Sequence, residues 1–138
     1  MNYLLDTCLI SEFKKPQPEP KVIKWLSNQI EETLFLSVIT IGEIQKGISN
    51  LVSSKKRTDL EIWLHNLILR YDGRILSLGT DEMLFWGDTI IKLKQKGRVL
   101  PFINSLIAAT ALTHNLTLIT KNESDFKNTG VKILNVWK

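Results

Sequence analysis

Two hydrophobic patterns take turns along the chain: short apolar runs without alternation, and longer stretches whose apolar residues recur at helical spacing. Tyr3 to Leu5 is a run of the first kind and stops at Asp6, as expected of a strand buried on both faces of a parallel sheet. Val22, Ile23, Trp25 and Leu26 then recur at helical spacing behind prolines suited to a helix start, and "TLFLSVIT" reads as a second strand, completing a β-α-β unit. Helical periodicity resumes through Ile41, Ile44, Ile48 and Leu51, which predicts Glu43 in the first turn just beyond that strand. Leu60, Trp63, Leu64, Leu67 and Ile68 share one helical face, and "GRILSLG" is a further short strand. "TDEMLFWGDTIIKLKQKG" predicts a helix with Thr80 as N-cap and Gly97 as its stop. A last helix follows in "NSLIAATALTHN", where Ala108, Ala109 and Ala111 allow close packing, before two final strands in "LTLIT" and "VKILNVW". This alternation predicts an α/β fold: one domain over residues 1–138, with a mainly parallel central sheet and helices on both faces.

Composition narrows the setting. The 138 residues are 43% hydrophobic and 23% charged, ordinary for one globular domain and contrary to disorder or a fibrous protein. A single cysteine, Cys8, excludes an internal disulfide framework, and the N-terminus has no signal-peptide pattern. No apolar stretch reaches the roughly 18 residues of a membrane span, so a soluble protein of the reducing cytoplasm is expected. Net charge is +4 and the pI about 9.2. The basic runs "KKP", "SSKKR" and "IKLKQKGR" favour a polyanionic partner, although each alone also reads as a solvated helix face.

In open sheets of parallel strands, ligands bind beyond the carboxyl ends of the strands. The polar residues expected there are Asp6 after the first strand, Glu43 after the second, and Asn122 and Asp125 in "TKNESDF" after "LTLIT"; Asn104, starting a helix, can face the same edge. Acidic and amide oxygens gathered from distant parts of a chain suit a hard cation such as Mg²⁺ or Mn²⁺. Near a phosphodiester such an ion activates water and neutralises charge on the scissile phosphate. Each member also has a local structural reading, since the helix dipole favours acidic residues in a first turn and Asn is a good N-cap. Thr7, Thr40, Ser105 and Thr120 lie beside these positions and could hold water or phosphate, or satisfy a turn or cap.

Together "YLLDTCLISEF", "LSVITIGEIQKGI", "LPFINSLIAATAL" and "LTLITKNESDF" resemble the PIN-domain family, most closely its VapC and FitB-like toxins from bacterial toxin–antitoxin pairs. The resemblance spans essentially the whole chain. It implies a three-layer α/β/α nuclease fold, usually homodimeric, that cleaves RNA with Mg²⁺ or Mn²⁺ and is held inactive by a cognate VapB-like antitoxin. Carried over residue by residue, it implies catalytic and metal-binding roles for Asp6, Glu43, Asn104 and Asn122, with Asp125 as a supporting partner. Lys46 and Lys121, each beside a site motif, are the expected phosphate contacts.

This sequence departs from the family at two of these motifs: Asn104 stands where the family has an acidic metal ligand, and Cys8 where relatives usually have Asn. Two unit charges about 4 Å apart at an effective dielectric near 20 are worth roughly 4 kcal/mol. At about 1.4 kcal/mol per tenfold, the missing charge is worth on the order of a thousandfold in metal affinity at the upper end. Two functions therefore stand: a metal-dependent endoribonuclease toxin weakened or inactivated at Asn104, and a catalytically silent PIN-fold module that binds a partner or RNA without cutting.

Other chemistries lack parts. Cys8 has no evident base, because His65 and His114 lie in or beside helical patterns unconnected with it. Trp25, Trp63 and Trp86 sit on apolar helical faces, as core or dimer contacts do, and Trp137 can close the last strand. The second acidic residue and middle-strand phosphoacceptor of a receiver domain are missing, as is any Gly-rich phosphate loop.

Overall fold

The computed structural model describes residues Met1–Lys138. Five strands, β1 (Tyr3–Leu5), β2 (Leu34–Ser37), β3 (Ile75–Leu76), β4 (Thr117–Ile119) and β5 (Ile133–Leu134), are interleaved with six helices. These are α1 (Thr7–Glu12), α2 (Pro20–Ser27), α3 (Val38–Ser49), α4 (Lys55–Arg70), α5 (Thr80–Gln95) and α6 (Phe102–Thr113), and short 3₁₀ segments cover Glu31–Thr33 and Glu123–Phe126. Every strand pairing is parallel, in the order β3-β2-β1-β4-β5.

The absence of polar alternation in the strands has a direct cause. Leu5, Leu34, Leu36 and Ile119 point into one core with Leu9, Ile10 and Val22 of α1 and α2, against which Trp63 and Leu67 of α4 pack. Leu4 and Leu118 point the other way, onto Ile107, Ala108 and Ala111 of α6. Both faces are covered, giving the expected three layers. Within α6, Ser105 through Ala111 are all buried, since the helix is held between the sheet and α5. No helix is long and apolar enough to cross a membrane.

Several boundaries differ from those the sequence predicts. Strand β2 ends at Ser37, halfway through "TLFLSVIT", because the Ser37 hydroxyl accepts the Ile39 N–H at 3.0 Å and starts α3 there. Val, Ile and Thr lower helix propensity only slightly, so one good cap decides the matter. Glu43 consequently stands in the second turn of α3 rather than the first. Helix α5 is capped at Gly79, whose N–H is taken by Glu82 Oε1 at 2.6 Å; Thr80 is its first residue, not its cap. Gly97 stops it as expected, at φ 73°. Helix α1 has too few residues to show periodicity and went unpredicted. Ile68 of α4 turns outward, 38% exposed.

One buried carboxylate ties the chain's two ends. Glu12 accepts from the Glu19 amide at 2.9 Å, Lys15 Nζ at 3.0 Å and Trp137 Nε1 at 3.1 Å. The Glu19 amide foremost, helped by Lys15 and Trp137, holds its carboxyl below the usual glutamate range against the opposing effect of burial. Trp137 thus closes the C-terminus onto α1.

Candidate active site

From β1 the chain builds outward through β2 and β3 on one side, and β4 and β5 fill the other, so the strand order reverses between β1 and β4. At such a switch point the crevice beyond the carboxyl ends is the natural ligand site. Asp6 sits there, and its N–H extends the ladder to the Ile119 carbonyl at 3.1 Å. Asp6 is 7% exposed and each of its carboxylate oxygens has one strong partner, leaving a second lone pair on each: Oδ1 accepts the Thr7 N–H at 2.8 Å as the N-cap of α1, and Oδ2 accepts the Thr120 hydroxyl at 2.7 Å. Thr120 in turn accepts the Asn122 N–H at 3.1 Å.

Thr7 connects this group to α3. Its hydroxyl donates to Glu43 Oε1 at 2.6 Å and lies 3.3 Å from the Thr40 hydroxyl. Glu43, Thr7, Asp6, Thr120 and the Asn122 amide therefore form one hydrogen-bonded series across three segments. Standing in the second turn, Glu43 lies beyond the first turn where the helix dipole acts most strongly.

Because α6 leads into β4, its first turn lies at the same carboxyl edge. Asn104 is the third residue of α6 and caps nothing; Pro101 occupies the cap position without a side-chain bond. Instead Asn104 Nδ2 donates to Asp125 Oδ2 at 3.3 Å. Between the two residues after β4, it is thus Asp125 that meets Asn104, while the exposed Asn122 contributes a backbone bond.

Of the two roles open to Ser105, it takes the structural one. It is 1% exposed, donates to the Phe102 carbonyl at 2.5 Å and accepts Trp86 Nε1 at 2.9 Å, so its hydroxyl is committed to packing α5 on α6 and is not open to water or phosphate. Lys121 lies over the Trp137 ring at 5.8 Å. Lys46 is exposed and shares with Glu43 an open groove of about 910 Å³.

Cys8 Sγ lies 3.6 Å from Asp6 Oδ2 and 3.7 Å from the Thr120 hydroxyl. Burial, and then the Asp6 charge, push its thiol above the ordinary range, the reverse of what a nucleophile needs. This agrees with the sequence reading of Cys8 as a small residue beside the site and not a nucleophile. Lys14, in sequence only part of a charge run, has its ammonium 4.7 Å over the Trp63 ring in a second depression that also reaches Glu43.

Nowhere do three carboxylate, imidazole or thiol groups come together as a cation site. By type, the oxygens of Asp6, Glu43, Asn104 and Asn122 fit a hard divalent ion, but the set is one charge poorer with an amide at 104.

A model of the PIN domain matches residues 3–132. The chain belongs to the PIN-domain family. It is 34% identical over 136 residues to the VapC ribonuclease Y4jK of Sinorhizobium fredii, covering 98% of this chain and 97% of that one. With the toxin FitB of Neisseria gonorrhoeae it shares 35% identity over 135 residues, 97% of each chain. A solved structure of FitAB bound to an IR36 DNA fragment superposes with a TM-score of 0.93 at 33% identity, covering 99% of this chain and 96% of that one. In this PIN domain the carboxyl-edge crevice thus combines two linked carboxylates with an amide–carboxylate pair.

Proposed function

We propose that this PIN domain is the toxin of a type II toxin–antitoxin pair, an Mg²⁺- or Mn²⁺-dependent endoribonuclease of the cytoplasm whose cleavage is weakened by Asn104. The observation that carries the reading is the hydrogen-bonded series joining Asp6 and Glu43 at the topological switch point, in a chain whose relatives are named ribonucleases and toxins. FitAB and the VapBC2 complex of Rickettsia felis, at 33% and 26% identity, support a VapB-like antitoxin as protein partner. A homodimer is the family expectation.

Asp6, Glu43, Asn104 and Asn122 would hold the cation. When bound, it supplies a water of lowered pKa and neutralises charge on the scissile phosphate. Thr120 and the Thr7 amide fix the Asp6 carboxylate, each occupying one oxygen. Thr7 fixes Glu43 through Oε1 and leaves Oε2 without a partner in the protein. Asp125 holds the Asn104 amide nitrogen, so the amide oxygen is turned away from that carboxylate. Lys46 and Lys121 offer positive charge to flanking phosphates.

The second reading, a silent module that binds RNA or a partner without cutting, is favoured by the absence of any three-membered acidic cluster. One comparison separates them: cleavage of structured RNA in Mn²⁺ or Mg²⁺ by this protein, by Asn104→Asp, and by Asn104→Asp with Asp6→Ala. Strong cutting by Asn104→Asp alone supports a weakened ribonuclease. If no variant cuts while antitoxin or RNA still binds, the silent module is correct.

A further inference from the structure

Glu43 lines two depressions. One, of about 190 Å³, is lined by Thr7, Ser11, Lys14 and Trp63. The other, of about 910 Å³, is lined by Gly42, Lys46, Asn50 and Ile103. Glu43 and Gly47 belong to both.

The two glycines of α3 lack a packing reason. A glycine inside a helix costs roughly 0.5–1 kcal/mol relative to alanine, and neither Gly42 nor Gly47 has a positive φ. A Cβ added at either position meets nothing within 4 Å, so no neighbour needs the space. A side chain at Gly47 would instead rise between the two depressions. Glycine there places no side chain between them.

Charge is arranged to match. Glu43 is the only acidic residue lining either depression. Lys14 and Lys46 take part in none of the protein's salt bridges, so their ammonium groups are free for another anion. Lys14 is also steered by the Trp63 face beneath it.

We infer that the two depressions form one track for the sugar-phosphate backbone of single-stranded RNA, crossing α3 over Gly47, with Lys14 and Lys46 gripping phosphates on opposite sides of Glu43. The inference rests on the ribonuclease reading and adds to it the path of the strand and Lys14 as a binding residue. A lysine on each side of Glu43, with Ile39 and Ile103 lining the open groove as apolar surface for unstacked bases, suits a single strand. Duplex RNA is read instead by shape across about 16 base pairs.

The test is binding of a fluorescein-labelled unstructured RNA oligomer to the full chain in EDTA, followed by anisotropy over a range of salt. The proteins are the wild type, Lys14→Met, Lys46→Met, Gly47→Leu, Gly47→Ala, and Lys92→Met, which removes a charge paired with Asp88 on α5. Each of Lys14→Met and Lys46→Met is expected to weaken binding several-fold and to lower the salt slope by roughly 0.7, one single-strand phosphate contact. Gly47→Leu is expected to weaken it about tenfold or more, Gly47→Ala much less, and Lys92→Met not at all. If the wild type binds and both lysine variants keep its affinity and slope, the track is wrong and the ribonuclease reading survives. If Gly47→Leu shifts the oligomeric state in sedimentation but leaves RNA affinity intact, the glycines serve contact between copies and the inference falls. Tighter binding of duplex RNA overturns the single-strand assignment. A wild type that neither binds nor cuts RNA at any salt, with Asn104→Asp equally inert, removes the ribonuclease reading and the track with it.

Discussion

Asn104 donates its side-chain amide to the Asp125 carboxylate across 3.3 Å, joining the first turn of α6 to the segment after β4. The amide does part of what a cation would do: it offers Asp125 a positive partner without any ion. Replacing it by Asp would set two negative charges against each other, a repulsion of at most about 5 kcal/mol at an effective dielectric near 20, and less at this half-exposed edge. We therefore expect Asn104→Asp to melt below wild type in EDTA and to be raised more by Mn²⁺. Thermal unfolding with and without the ion checks this; equal responses in the two proteins would refute it.

Thr120→Val keeps the shape of the side chain but removes the donor to Asp6 Oδ2 and the acceptor for the Asn122 amide. A cost of about 1–3 kcal/mol in stability is expected for buried groups left unpaired. In the Asn104→Asp background the same change should sharply reduce cleavage, and Thr120→Ser should restore both. Denaturant titrations and RNA cleavage assays on the three proteins decide it.

Ser105→Ala separates a packing role from a chemical one. It leaves Trp86 Nε1 without its acceptor and should lower stability by about 1–3 kcal/mol. Mn²⁺ affinity, measured calorimetrically in the Asn104→Asp background, should not change.

Acid sensitivity should trace in part to Glu12. Its folded carboxyl is held below the ordinary value, so it contributes stability that is complete above the unfolded pKa of about 4.3 and fades as pH falls through the lower folded value. Glu12→Gln turns one acceptor into an amide donor facing Lys15 and Trp137. The variant should be weaker at neutral pH yet lose less stability between about pH 5 and 3. Urea unfolding at several pH values gives both slopes.

Much of this was readable from the chain because burial on both sides leaves an unmistakable mark. The runs at Tyr3–Leu5 and Thr117–Ile119 have no polar face, and that signals a sheet covered by helices whatever the exact boundaries. The strand-end rule then led to Asp6, Glu43 and the residues after β4. What escaped was set by single hydrogen bonds: Ser37 ending β2 early, Glu82 moving a cap from Thr80 to Gly79, Trp86 claiming Ser105. Such bonds depend on partners far away in sequence or on competition between neighbours of nearly equal propensity, and no local pattern records which one wins. The choice between Asn122 and Asp125 as the neighbour of Asn104 was of the same kind.

The pairing of β1 with β4 has a consequence in time as well as in space. Asp6 and Thr120 are separated by 114 residues, and the crevice exists only where their strands lie side by side. A chain emerging from the ribosome carries Asp6 from the start, but its carboxylate has no Thr120 to orient it until synthesis is nearly complete. Non-local pairing of this sort forms late in folding. The oriented carboxylate at the heart of the crevice is therefore a property of the finished chain, absent until residue 120 has joined the sheet.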